Sequence, residues 1–483
     1  MKRNWPISLI ILITLFTSCD EKSDTPVPVI TPARINTPPS TFQVEVVNRT
    51  KNTALLEWVK AIDPDKDKVA YSVFLEGRKI TTDLDSTTYM VQGLTPKTEY
   101  AGYVLAYDTQ KDSTRSDFTF TTKSPYTTFS KYYPVPASKE SVRSSFIIKT
   151  FDQGYVITGT TYSRSMDRWI MFATKIDSLG IQQWNIAPEH DIAGGKVAVT
   201  ETEDRGLILA AKNIVLKLNA QGDVLWEKTL EIKCVINAVT ETNDNSLYAV
   251  GVIGPDKSAS KDIKSQAILV KLDAGGTPLW ERRYGTSGYN TVVDVVQSPS
   301  GGFMLLCETG TSDNMDFCVM NTDAKGEIRW QRTYGDRRFD FAAQLKATSD
   351  GGYVMAGSSW GAYDFSEMRA IKIDAAGNEL WNRSFNNGFS FQATAIEVTH
   401  DGGYALTGYT KTNSNDTFLV IYKLDSNGSK TWEHWYGRGM GGSFGSDLVQ
   451  TPDKGYMVAG YSSFDSKKPV WVLKLDPEGN YDD

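Results

Sequence analysis

One phrase recurs along this chain and limits its fold more than any other feature: Lys-[Leu/Ile]-Asp-x-x-Gly-x-x-x-Trp. A lysine or its stand-in precedes a glycine by five residues at seven places: Lys175/Gly180, Lys217/Gly222, Lys271/Gly276, Asn321/Gly326, Lys372/Gly377, Lys423/Gly428 and Lys474/Gly479. A tryptophan follows the first six glycines, at Trp184, Trp226, Trp280, Trp330, Trp381 and Trp432. The seventh tryptophan position is occupied by Asp483. Seven units, the last one truncated, predict a closed ring of repeats.

A second marker opens each unit: Gly154-Tyr155, Gly206-Leu207, Ser246-Leu247, Gly302-Phe303, Gly352-Tyr353, Gly403-Tyr404 and Gly455-Tyr456. Repeats of roughly fifty residues with room for four short strands predict propeller blades. The seventh unit lacks its tryptophan strand. Phe129-Ser130-Lys131-Tyr132-Tyr133-Pro134 matches Trp280-Glu281-Arg282-Arg283-Tyr284-Gly285, with Phe129 at the tryptophan position. Residues 127–134 are therefore expected to supply the outer strand of blade seven. The ring then closes by pairing its two ends, with no raw edge there. The fold class is all-β, a small sandwich followed by a seven-bladed β-propeller over residues 127–483. The repeat resembles the quinoprotein-dehydrogenase-like (PQQ-like) propellers, a likeness that speaks for the fold. Quinone chemistry is not implied: the chain has no Cys-x-x-Cys-His and no adjacent cysteine pair.

The segment before the ring divides into three. Lys2 and Arg3 precede an apolar run over 7–16, and Phe16-Thr17-Ser18-Cys19 follows. This resembles a bacterial lipobox, which implies a signal peptide over 1–18 and lipidation of Cys19. Acyl chains on one cysteine hold a protein on a membrane with no spanning helix. The acidic run Asp20-Glu21-Lys22-Ser23-Asp24 resembles the surface-export tag of Bacteroidota lipoproteins. It implies outer-membrane anchoring, at the cell surface or facing the periplasm. Residues 19–41 are rich in Pro, Thr and Ser and read as an extended linker.

Residues 42–123 alternate apolar and polar in short runs, with Trp58 at a core position. Leu94-Thr95-Pro96-Lys97-Thr98-Glu99-Tyr100 has the form of a tyrosine corner. The segment resembles a fibronectin type III domain, which implies a spacer or adaptor. Within it Asp63, Asp65 and Asp67 alternate, a weak candidate for calcium. Lys66 and Lys68 oppose a cation there, and a solvated turn is the competing reading.

With 51 Lys+Arg against 58 Asp+Glu, the net charge is −7 and no basic block stands out, which argues against a nucleic-acid partner. Three histidines, His190, His400 and His434, fall at no zinc-site spacing. Three cysteines remain beyond Cys19, and Cys307 and Cys318 fall on adjacent strands of one blade, where they are expected as small buried hydrophobes or a facing pair. No cofactor is expected.

The repeated Asp and Gly suit hairpin turns, and the tryptophans suit packing between neighbouring blades. These positions are scaffold. Recognition is expected on the variable loops, which emerge together on one face. The candidate binding face comprises Arg168, Trp169, Tyr289, Arg337, Arg338, Asp340, Trp360, Phe389, Phe391, Arg438 and Phe444. Such a mixture suits a protein interface or sugar rings. The expected function is non-catalytic binding or scaffolding in the cell envelope, with an envelope protein or a glycan as partner. The alternative is a glycan-binding protein or a hydrolase or lyase with paired carboxylates in the central channel.

Overall fold

The computed structural model describes residues 35–136, 142–163, 165–192, 195–254, 265–285, 287–311, 314–335, 339–360, 366–386, 388–414, 416–437, 442–462 and 469–481. Among them every regular element is a β-strand. The chain divides into two units, 1–123 and 124–483.

The first unit packs two antiparallel sheets. One holds Val44–Arg49, Thr53–Trp58 and Thr88–Gln92; the other holds Arg78–Leu84, Ala70–Leu75, Glu99–Tyr107 and Ser113–Thr121. Strand alternation sends Ala54, Leu56 and Trp58 inward against Tyr71, Val73 and Val104. The Trp58 and Tyr71 rings meet edge to face at 5.4 Å. The Thr95 amide donates to the Tyr100 hydroxyl at 2.9 Å, which ties the turn to the strand that follows.

The second unit contains seven four-stranded antiparallel sheets, the fourth and fifth joined by a single parallel bridge from Met315 to Phe339. In each of the first six, four consecutive strands lie in chain order. The seventh takes Ser443–Gln450, Tyr456–Ser462 and Val470–Leu475, and its fourth strand is Phe129–Tyr133. There Lys474 pairs with Phe129, as Lys271 pairs with Trp280 in the third sheet. The first strand of each sheet packs on the first strand of the next, and Ser443–Gln450 packs on Val142–Lys149. Both faces of every sheet are thus covered. Middle strands such as Ile214–Leu218 are buried throughout, and the outer strand Val224–Thr229 is mostly exposed. Continuous apolar runs are what such doubly covered strands require.

Two turns per sheet carry the repeated residues. In the second, Asp177 Oδ1 accepts the amides of Leu179 and Ile181 at 2.9 and 2.8 Å, and the same bonds form at Asp273, Asp323, Asp374, Asp425 and Asp476. The turn glycine has a second duty. At Gly222 φ is +86°, and a Cβ there would lie 2.8 Å from the Trp184 ring of the preceding sheet. A side chain is excluded by both conformation and space. Trp226, Trp330, Trp381 and Trp432 meet the glycines of their next sheets in the same way, and Phe129 meets Gly180. Tyr133, Tyr284, Tyr334 and Tyr436 add hydroxyl donation to the carbonyls of Gly180, Gly326, Gly377 and Gly479.

The repeated lysine is buried and belongs to the first turn. Lys175 Nζ reaches Thr150 Oγ1 at 2.5 Å and Asp152 Oδ1 at 2.8 Å. Lys217, Lys271, Lys372, Lys423 and Lys474 pair with Asp204, Asp244, Asp350, Asp401 and Asp453. The fourth sheet changes the whole set together: Ser298, Ser300 and Asn321 stand where the others have Thr, Asp and Lys. Asn321 there contacts the Met304 sulfur at 3.1 Å. A buried ammonium and its carboxylate have been exchanged jointly for neutral groups, as the cost of an unpaired buried charge demands.

Cys307 and Cys318 sit directly opposite each other on neighbouring strands, and both are buried free thiols. Asp63 Oδ1 accepts the amides of Asp65 and Asp67 at 2.8 and 3.1 Å, so it organises its own turn. Among the described residues no group of three or more acidic, histidine or cysteine side chains is placed to hold a metal.

The fourth sheet suggests a test. Asp350→Ser leaves Lys372 buried without its carboxylate and is expected to cost about 2–3 kcal/mol, less than a fully buried pair because Asp350 faces solvent. Combining it with Lys372→Asn should recover more than half of that loss in urea unfolding. Strict additivity of the two substitutions would show that the pair is not coupled.

Candidate functional site

The first strands of the seven sheets pack on one another in sequence. Six of the seven first strands carry a bulge that leaves one residue out of register, Ala198–Glu201 being the regular one. Opposite five of these bulges lies a glycine of the second strand, and the fourth sheet has Leu306 and Cys307 there. At Gly408 a Cβ would stand 1.8 Å from the Gln392 carbonyl oxygen, so only glycine fits.

Polar side chains at and after the bulges stitch neighbouring sheets together. The Leu345 amide donates to Asp294 Oδ2 at 2.9 Å, and the Ile396 amide to Gln344 Oε1 at 2.9 Å. The Ile147 amide donates to Asp447 Oδ2 at 3.0 Å, joining the seventh sheet to the first. Ser144 and Ser446 share a hydrogen bond of 2.7 Å across the same junction. Lys346 pairs with Glu397 at 3.3 Å. Burial works against the Lys346 ammonium, but Glu397, Asp447 and Asp294 outweigh it and hold its pKa above the usual lysine range. Burial pushes Asp447 up to about 6 against the pull of Lys346, and burial also raises Asp294.

Above this layer, on the side where the strands begin, is a cavity of about 320 Å³. Arg143, Lys196, Tyr409 and Tyr461 line it, with hydroxyls from Ser145 and Thr160 among others. The Arg143 guanidinium lies over the Trp169 ring at 5.0 Å. Phe444 stacks on Tyr461 at 4.8 Å and meets Tyr409 edge-on at 4.9 Å. The Tyr409 hydroxyl donates to Gln392, and burial pushes its pKa up to about 12.

The residues expected on the variable-loop face fall in different places, and none of them lines this cavity. Trp169 and Phe444 act only as supports for Arg143 and the two tyrosines. Arg168 is exposed at the start of its strand, and Trp360 is exposed beside Phe341. Phe389 is half-buried against Trp435. Three residues expected to be exposed are core instead. Phe391 is fully buried against Tyr422 and Trp435, and Tyr289 is buried where its strand begins. Asp340 is buried and paired with Arg369 at 3.2 Å. Each begins or nearly begins a first strand, and Phe391 and Asp340 are covered by side chains from later strands of their own sheets. Arg337, Arg338, Arg438 and Cys19 lie outside the described residues.

Arg143, Lys196, Tyr409 and Tyr461 were missed. The tyrosines had a signal: both directly follow the second-strand glycine, as Gly408-Tyr409 and Gly460-Tyr461, where other sheets have Gly159-Thr160 and Gly357-Ser358.

Residues 37–122 match the family Fibronectin type III domain. No curated protein matches the chain. Among solved structures the chain is similar to a virginiamycin B lyase from Staphylococcus aureus solved with quinupristin, at 12% identity and TM-score 0.47, covering 72% of this chain and 99% of that one. It is similar to the Neurospora crassa Pan2 WD40 domain at 13% identity and TM-score 0.49, covering 72% and 94%. It is also similar to YCF48 bound to D1 peptide, at 9% identity and TM-score 0.44, covering 72% and 96%.

The carboxyls predict a pH profile with two limbs. Burial opposes ionisation of Asp152, but hydrogen bonds from Lys175, Thr150 and the Gly154 amide outweigh it and hold the group at about 2. Asp204, Asp350 and Asp401 are likewise held at about 2 by their lysine, threonine and glycine partners. Pairing thus stabilises the fold above the unfolded carboxyl range near ~4, and that stability is lost as pH falls through 2. Asp447 has the opposite sign: its raised pKa favours the folded state as pH falls from 6 toward 4. Urea midpoints should rise between pH 7 and 5 and drop below pH 4. A continuous fall from pH 7 downward would show that Asp447 is not held up by its burial.

Proposed function

We propose that the chain is a membrane-anchored, non-catalytic binding protein of the bacterial envelope, whose ligand or partner is recognised at the variable-loop face of a seven-bladed ring. The cavity at the channel mouth carries this reading. It is walled by two cations, two braced tyrosines and several hydroxyls, a concave polar and aromatic surface suited to recognition. Ring closure is supported by the Phe129–Tyr133 pairing, by Phe129 against Gly180, and by the Ile147–Asp447 bond. Anchoring through a lipid on Cys19, a linker over 19–41, and outer-membrane display rest on the lipobox-like sequence and the acidic run behind it.

The chemistry beneath the cavity favours binding over turnover. A glycan-cleaving enzyme needs two carboxylates free to face the substrate. Asp294 and Asp447 instead accept amides of adjacent sheets, and Glu397 pairs with Lys346. The partner is an envelope protein or a glycan, held without a cofactor.

Melting temperatures of the full chain against panels of glycans and envelope-derived peptides test the reading. A ligand that binds only the folded state, at a hundredfold excess over its Kd, adds about 2.7 kcal/mol. The shift is expected with no new product by mass spectrometry, and release of product would replace binding with catalysis. Separately, Cys19→Ala should move the chain from the membrane to the soluble fraction of expressing cells.

A further inference from the structure

We propose that the cavity at the channel mouth binds an acidic saccharide, a sugar ring bearing a carboxylate or a sulfate. This rests on the reading that the variable-loop face is the binding face, and it names the class of ligand.

Charge is the first argument. The chain as a whole carries −7, yet the formal charges lining this cavity are both positive, Arg143 and Lys196. They arrive from different places, Arg143 from the first strand of the first sheet and Lys196 from the approach to the second. Arg143 is exposed and packs on Trp169, and no carboxylate of the described residues pairs with it. A guanidinium backed by an indole presents its planar fork outward, the geometry that takes an oxyanion on two donors.

The walls are the second argument. Tyr409 and Tyr461 are braced by Phe444, and Tyr409 is further held through Gln392. Held rings lose little freedom when a sugar face packs on them. The Ser144 and Ser446 hydroxyls share one bond between them, and each keeps acceptor capacity for sugar hydroxyls. A volume of about 320 Å³ lies at the small end of ligand sites.

An acidic peptide is the competing ligand. Thr160, Tyr409 and Tyr461 stand on second strands, which are hydrogen-bonded on both sides. Those three present side chains only, whereas the first strands Val142–Lys149 and Ser443–Gln450 are sheet edges, and the tetraglutamate probe tests main-chain pairing there.

Calorimetric titration of the full chain with three probes of equal length decides the matter: a glucuronate tetrasaccharide, maltotetraose and tetraglutamate. A sulfated tetrasaccharide separates the two anions. An acidic saccharide is expected to bind at least about tenfold more tightly than maltotetraose, and to weaken with added salt. Arg143→Gln and Lys196→Gln should each weaken it roughly tenfold, the loss of one hydrogen bond to a charged group. The melting temperature of the unliganded variants should stay that of the parent, and Arg143→Lys should restore part of the binding. Equal affinity for maltotetraose, or tighter binding of tetraglutamate, overturns the proposal. So does failure of both acidic saccharides to bind. If another ligand still shifts the melting temperature, and Trp360→Ala abolishes that shift, the binding-face reading survives and only this ligand class is lost.

Discussion

The second unit depends on an aromatic ring seated against a turn that has no side chain. Each four-stranded sheet is apolar on both faces, and alone it would leave both in water. The tryptophan of one sheet covers part of that surface by lying over the turn glycine of the next. The arrangement couples two demands on one residue. The glycine must adopt a positive φ to complete its own turn, and it must be bare to admit its neighbour's indole. Local turn chemistry and packing between sheets therefore stand or fall together, which is why the phrase linking them repeats so faithfully.

The buried lysine adds a second coupling, this time within a sheet. Its ammonium joins the strand that carries it to the Thr-x-Asp turn two strands earlier. The pairing is asymmetric, with the lysine buried and the aspartate facing water, as at Lys372 and Asp350. Solvation of the carboxylate offsets part of the cost of burying the cation. The fourth sheet shows what the constraint permits: the charge can be removed, but only from both partners together.

The repeat, the strands and the alternation of the first unit were legible in the sequence because they rest on short-range rules. Period, turn residues and Trp spacing each report a local need. The lysine was visible too, but its partner was not, since Asp152 and Lys175 lie 23 residues apart and meet only through the sheet. Which loop-face residues are exposed was read least well. Exposure at a strand's start depends on which side chains later strands bring over it: Phe391, Tyr289 and Asp340 are covered, and Arg143 is exposed. The cavity gathers residues from sheets far apart in the chain, so no window of sequence contains it.

One strand has a mechanical role that its size conceals. Phe129–Tyr133 follows directly on the segment that joins the two units, and any pull on the preceding chain arrives there first. It is hydrogen-bonded along Val470–Leu475, and its side chains also grip the first sheet: Lys131 Nζ donates to the Leu179 and Gly180 carbonyls at 2.9 and 3.2 Å, and Tyr133 donates to Gly180. Tension is thus divided between the last sheet and the first. A pull on the preceding chain therefore draws the two sheets together at their junction, and the load is borne by five residues that act as a clasp.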